Sequence, residues 1–427
     1  TTLGSIAEDS APAGSTVSAI FTPAFSDATD TQTGGSSANA LAGVAIVGNA
    51  ATAAQGKWQY DSGGGWTDLP TAPSLTSSFL LKATDQLRFL PAANWNGTPG
   101  SLTVRLIDDS AGAVSTGSGP NLSGAATGGT TAYADSSNAV TLGVTVTPVN
   151  DAPVASGSLS LSAINEDTAA PGGATVASLA SGHYSDTTDT VSGGSSATAL
   201  GGMAIVGNTA DSVTQGVWKY STDHGTSWTV VPATVGDSSA LVLPTTAKIA
   251  FFPVANYAGT PGGLSVRLAD SAQTLSTSTD LSGVLGGTNT WSAAAIPLNT
   301  TVNPVNDLPS ITGLAGAPAL IEQQATPVRL DADGTASVAD PELNLSVSGW
   351  NGATLTVQRS GTASASDVFS FFDASGTAGD NNGVELSGAN LLVDGLTIGT
   401  VSNSGGQLVI TFNNNADATR VGTAMGA

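Results

Sequence analysis

The stretches Val146-Thr147-Pro148-Val149-Asn150-Asp151-Ala152-Pro153 and Val302-Asn303-Pro304-Val305-Asn306-Asp307-Leu308-Pro309 carry nearly the same wording. Each is followed by a fresh acidic segment, so the chain reads as an array of repeats joined by hinges. Proline fixes φ and stiffens the hinge. Between the prolines, the Asn-Asp pair offers a side-chain carbonyl and a carboxylate, hard oxygen donors of the kind calcium prefers. Plain turn closure by the same two side chains is the alternative use of that pair.

The repetition extends outward from the hinges. Ile6-Ala7-Glu8-Asp9 returns as Ile164-Asn165-Glu166-Asp167, and Ala45-Ile46-Val47-Gly48-Asn49 returns from Ala204 to Asn208. Gln55-Gly56-Lys57-Trp58 returns as Gln215-Gly216-Val217-Trp218, and Gly97-Thr98-Pro99-Gly100 through Arg105-Leu106 returns from Gly259 to Leu268. All of these recur about 160 residues on, which sets the size of one module. Within a module the apolar residues alternate with polar ones in short runs bounded by Gly, Asn, Asp and Ser, the pattern of half-buried strands. Strands are expected near 16–20, 43–48, 56–60, 66–69, 79–81, 86–90, 101–107 and 138–147, a set that suits a two-sheet Greek-key sandwich. The fold class is therefore all-β, with tandem Greek-key β-sandwich modules at 1–151, 152–307 and 308–427. The third module keeps an acidic grammar in Leu320-Ile321-Glu322, Asp331-Ala332-Asp333 and Val338 to Leu343, but its tail from Asn413 to Ala427 is polar and small, so it reads as divergent and incomplete.

Acidic side chains number 32 against 10 basic ones, a formal charge of -22 that makes nucleic acid a poor partner. Hydrophobic residues make up 40%, enough to distinguish the chain from a disordered acidic polymer. Cysteine is absent, which removes disulfides and thiolate metal sites. No apolar run is long enough to insert in a membrane. The first residue is Thr1, and the chain is expected to be a piece of a larger secreted protein.

The Pro-Val-Asn-Asp-x-Pro hinges, the Glu-Asp openings, the Gly-Asn-x-Ala to Gly-x-Trp stretch and Gly-Thr-Pro-Gly followed by Val-Arg-Leu resemble the tandem cadherin-like repeats of giant secreted bacterial surface proteins, including RTX-type adhesins. That resemblance implies calcium-dependent β-sandwiches at the bacterial cell surface, extending or anchoring a protein during cell adhesion. Carried over residue by residue, it implies that Glu8, Asp108, Asn150 and Asp151 meet Asp186 or Asp189 at the first joint. At the second, Glu166, Asp270, Asn306 and Asp307 would meet Asp340 or Glu342.

The physical case for a cation is charge. Two carboxylates about 4 Å apart repel by roughly 4 kcal/mol at an effective dielectric near 20. Calcium accepts six to eight oxygens in loose geometry, so ligands from two modules and their linker can share one ion. Asp331 and Asp333 open like a calcium loop, yet no glutamate completes the spacing. Arg105 and Arg267 sit at matching strand positions and are expected to point outward to an acidic neighbour. His183 and His224 have no triad or metal spacing around them, and no nucleophile, base and orienter occur together, so an enzyme is not expected. The leading reading is a non-enzymatic, calcium-stiffened extender whose partners are calcium ions and neighbouring modules or subunits. The alternatives are a carbohydrate- or peptide-binding module presenting Trp66, Trp95, Trp228 and Trp291 to surface glycans or proteins, and a filament subunit completed by strand addition.

Overall fold

A computed structural model of the chain describes residues 1–124, 127–271, 278–314, 328, 330–331, 335–345, 349–371 and 383–426. The alternating segments form tandem β-sandwiches. In the first, Val140–Leu142, Leu102–Asp108, Leu41–Asn49, Phe79–Lys82 and Gly117–Ser118 lie side by side in one sheet. The facing sheet holds Ser15–Thr16, Gln86–Pro91, Gly56–Asp61 and Thr67–Asp68. The second sandwich repeats this plan. Leu264–Asp270 and Ala240–Pro244 flank Leu200–Asn208 in one sheet, and Lys248–Pro253 lies beside Gly216–Ser221 in the other.

Each interior is closed by the repeated tryptophan. Trp58 meets Phe89 edge-on at 5.3 Å and donates to the Gly100 carbonyl at 2.9 Å. Trp218 meets Phe251 at 5.3 Å and donates to Gly262 at 2.8 Å. Both indoles are fully buried, so the ring fills the gap between the sheets while its N–H stays satisfied.

Where a strand is expected near 16–20, the chain forms a one-turn helix, Val17–Phe21, with its counterpart at Val176–Ala180. Thr16 and Thr175 cap these turns by accepting from Ala19 N and Ser178 N, each at 3.2 Å. Val17, Ile20 and Phe21 all face the core, a helical spacing inside a run short enough to pass for a strand. Likewise 138–147 is two short strands, Val140–Leu142 and Val146–Thr147. The second of these pairs in parallel with Ile6–Ala7, which brings the Glu8 turn beside the hinge.

The third region holds a five-stranded sheet in the order Thr354–Gln358, Gln407–Phe412, Leu396–Ser404, Asn390–Val393, Val384–Ser387. Its tail, read from the sequence as polar and small, forms the helix Ala418–Gly426. Asp417 accepts from Arg420 N at 2.8 Å and so caps the helix, while Val421 and Ala424 are buried in this region's core. Gly422 allows the close approach to strand Ser337–Ala339, because a Cβ there would stand 3.2 Å from the Ala336 carbonyl oxygen. Glu322 and Asp333 lie outside the described residues.

The matching arginines are not surface side chains. Arg105 and Arg267 are buried beneath loops that cover the outer face of the larger sheets. Arg267 grips Asp237 with Nε at 2.7 Å and Nη2 at 2.9 Å. Arg105 donates from Nη1 to the Asp135 carbonyl, and its buried Nε has no partner. The reason is one substitution. Leu75 stands where the second module has Asp237, since Leu122 N donates to the Leu75 carbonyl as Leu281 N does to that of Asp237. Leu75 is 37% exposed, so exchanging it gives up part of a leucine's burial, less than a core leucine would lose. Leu75→Asp is therefore expected to stabilise the first module by about 1 kcal/mol, read as a raised melting temperature of the full chain.

Candidate cation-binding joints

The Glu-Asp opening of each repeat is a tight turn. Asp9 and Asp167 have φ of 56° and 59°, a left-handed conformation that Asp tolerates better than most residues. Each is held by a backbone donor, Asn94 N to Asp9 Oδ1 at 2.8 Å and Asn256 N to Asp167 Oδ1 at 3.2 Å. The turn directs the preceding glutamate at the hinge. Glu8 Oε1 accepts from Val149 N at 2.6 Å, and Glu166 Oε1 from Val305 N at 2.7 Å.

At the first joint the hinge also clasps the second module. Asn150 Nδ2 donates to Asp270 Oδ2 at 3.0 Å, Asp151 N to Asp189 Oδ1 at 2.9 Å, and Ala152 N to the Gly287 carbonyl at 2.6 Å. Asp186 Oδ2 accepts from Thr198 N at 2.5 Å, leaving Oδ1 buried without a partner. At the second joint Asp307 N donates to Glu342 Oε1 at 3.1 Å, the role that Asp189 fills at the first. Asp307 Oδ2 and Glu342 Oε2 are both buried without a partner, and Asp340 Oδ1 accepts from Leu343 N at 2.9 Å.

The placement of two residues differs from expectation. Asp270 belongs to the first joint rather than the second, and Asp108 stands at neither. Strand Leu102–Asp108 begins near the Gly97 loop beside the hinge and runs away from it, so its last residue lies at the opposite end of the module. There Asp108 Oδ1 caps its own turn by accepting from Ser110 N at 2.8 Å. In the second module, the corresponding end is the one facing the first joint. Asp27 repeats the Asp186 arrangement, accepting from Asn39 N at 2.7 Å.

The first joint carries concentrated negative charge. Burial raises the Asp189 carboxyl to about 6, with Asp186, Asp151 and Glu8 adding repulsion against the lowering effect of the Asp151 N–H. Burial also raises Asp186, helped by Asp270, and raises Asp151, helped by Asp9, Glu8 and Asp186. The Tyr184 hydroxyl is pushed up by burial and by Asp186, Asp270 and Asp189. Among the described residues, no three His, Cys, Asp or Glu side chains form a compact metal cluster. The donor chemistry nevertheless fits a hard cation: oxygen donors only, each joint with a buried carboxylate oxygen that nothing satisfies, and mutual repulsion that a positive charge would relieve.

Each tryptophan has a packing partner within the molecule, with Trp66, Trp95 and Trp228 half-buried. Arg88 lies over Trp66 at 4.0 Å, Trp228 packs edge-on to Phe252 at 5.4 Å, Trp95 packs against the first core, and Trp291 is buried. Among the described residues, no helix is long and apolar enough to cross a membrane.

No protein-family model matches the chain, and no curated protein sequence matches it. Among solved structures it is similar to human CDH23 EC21-23, at 10% identity over 96% of this chain and 88% of that one, with a TM-score of 0.36. It is similar also to protocadherin gamma B2 extracellular cadherin domains 1-5, at 11% identity over 97% of this chain and 52% of that one, with a TM-score of 0.35. The human desmocollin-1 ectodomain matches at 10% identity over 96% of this chain and 52% of that one, with a TM-score of 0.25. The chain thus spans about half the length of the last two. These neighbours are cadherin repeats, and at such scores the sandwich architecture rests on the sheets themselves.

Proposed function

We propose that the chain is a calcium-stiffened extender segment of a bacterial cell-surface adhesin or extracellular assembly, built from modules at 1–151, 152–307 and 308–427, and that it is not an enzyme. One observation carries the reading: both hinges gather carboxylates from the module before, the linker and the module after, and leave buried oxygens unsatisfied. Glu8, Asn150, Asp151, Asp186, Asp189 and Asp270 would hold the ion at the first joint, and Glu166, Asn306, Asp307, Asp340 and Glu342 at the second. The bound ion supplies positive charge that ties two modules to their linker. The chain's own backbone and side-chain donors do the rest. Asp151 N and Val149 N fix the carboxylates by donating to them, and Asn150 anchors the linker to the second module.

X-ray scattering by the full chain in millimolar calcium and in excess chelator tests the reading. An elongated, stiff particle in calcium that becomes flexible in chelator is the expected result. Identical profiles in the two conditions would count against it.

A further inference from the structure

Asn96 is buried between the first two modules, at 1% exposed, and none of the chemistry proposed above assigns it a role. Its Nδ2 donates to Glu8 Oε2 at 3.0 Å within its own module and to Ser195 Oγ at 2.7 Å in the next. Its Oδ1 accepts from Ser195 N at 2.7 Å. Both amide hydrogens and the carbonyl are thus occupied, two of the three bonds crossing the joint. Gly194 makes this fit possible, because a Cβ there would stand 2.2 Å from Asn96 Oδ1 and 2.7 Å from the Asn96 backbone oxygen. Asn96 also heads the sequon Asn96-Gly97-Thr98, and with both amide hydrogens donated the joined modules leave no room for a glycan on it.

The second joint cannot make the same connection. Counting from the matching Gly-Thr-Pro-Gly loops, the residue equivalent to Asn96 is Ala258, whose methyl neither donates nor accepts. Ala258 is exposed, whereas Asn96 is covered by the following module.

We propose that Asn96 is a latch that fastens the first module to the second without any ion, and that the chain therefore bends preferentially at the second joint. Buried hydrogen bonds that bridge two modules resist opening because separation leaves their partners to be resolvated together. The latch shares Glu8 with the proposed cation site, while its two bonds across the joint, both to Ser195, involve none of the residues proposed to hold the ion.

The test uses the full chain, which has no cysteine, with spin labels on cysteines introduced at exposed sites. Ser62 and Val213 report the first joint, and Val213 and Ser360 report the second. All distance distributions are measured in excess chelator, so that an ion contributes nothing. The expected result is a narrow distribution across the first joint and a broad one across the second. Asn96→Ala should widen the first to resemble the second and leave the second unchanged. Gly194→Ala attacks the latch from the other module, at an exposed position, and should widen the first distribution in the same way even if Asn96→Ala proves poorly folded. The proposal is overturned if the first joint is as broad as the second in the unaltered chain, or if a folded latch variant leaves the first distribution narrow.

Discussion

Replacing Trp218 by alanine should remove about 3 to 5 kcal/mol from the second module, a large share of the stability of a single domain. The indole is fully buried, its edge-on contact with Phe251 is lost, and the Gly262 carbonyl that accepts its N–H is left without that donor. The space lies between two sheets tied by their own ladders, so collapse fills it only in part. For a module of this size the melting transition should fall by about 10 °C. Calorimetry of the full chain would register this as one transition moving away from the others. A shift of all transitions together would show instead that the modules unfold as one unit.

The second large effect concerns the first joint and has an unusual sign. Asp186→Asn combined with Asp189→Asn keeps the oxygens that accept from Thr198 N and Asp151 N while removing two negative charges. In chelator the doubly substituted chain should be more stable than the unaltered one, because burial and neighbouring carboxylates already disfavour ionisation there. In calcium the order should reverse. If the site has a dissociation constant of about 10⁻⁴ M, millimolar calcium adds about 1 to 2 kcal/mol to the unaltered chain and nothing at that joint to the variant. Acid should imitate the substitution. The Asp189 carboxyl titrates near 6 in the folded chain, above its ordinary value of 3.8, so protonation favours the joined state. In chelator that stability is full below about 3.8 and is lost as the pH rises through about 6. Thermal melts across this range, with and without calcium, separate these outcomes.

Much of this architecture was legible in the repeats. The recurring hinges and the alternation around Trp58 and Trp218 pointed to tandem sandwiches, and strands such as Leu102–Asp108 and Gln86–Pro91 fall where alternation placed them. Val17–Phe21 was read as a strand because five residues hold too little sequence to separate the two periods. The Thr16 cap was the available signal. The Ala418–Gly426 helix was missed because small residues build its buried face, although Asp417 three residues before Arg420 marks a helix start. Among the joint residues, those next to the hinge in sequence were readable as neighbours of the hinge in space. Asp270 was not, because which end of a sandwich a strand reaches depends on the direction of every strand before it. Asn96 stands out in the sequence only as the head of a sequon, which says nothing of a joint. Comparison with Ala258 in the other repeat singles it out only once the joint is seen to be covered.

Calorimetric titration of the metal-free full chain with calcium tests most directly whether a cation locks these acidic joints. Saturable binding should appear at neutral pH, weaken as the pH falls through about 6, and lose the first-joint component in the Asp186→Asn, Asp189→Asn variant. A chain that takes up no calcium, or one whose uptake is the same with and without those two carboxylates, would contradict the account.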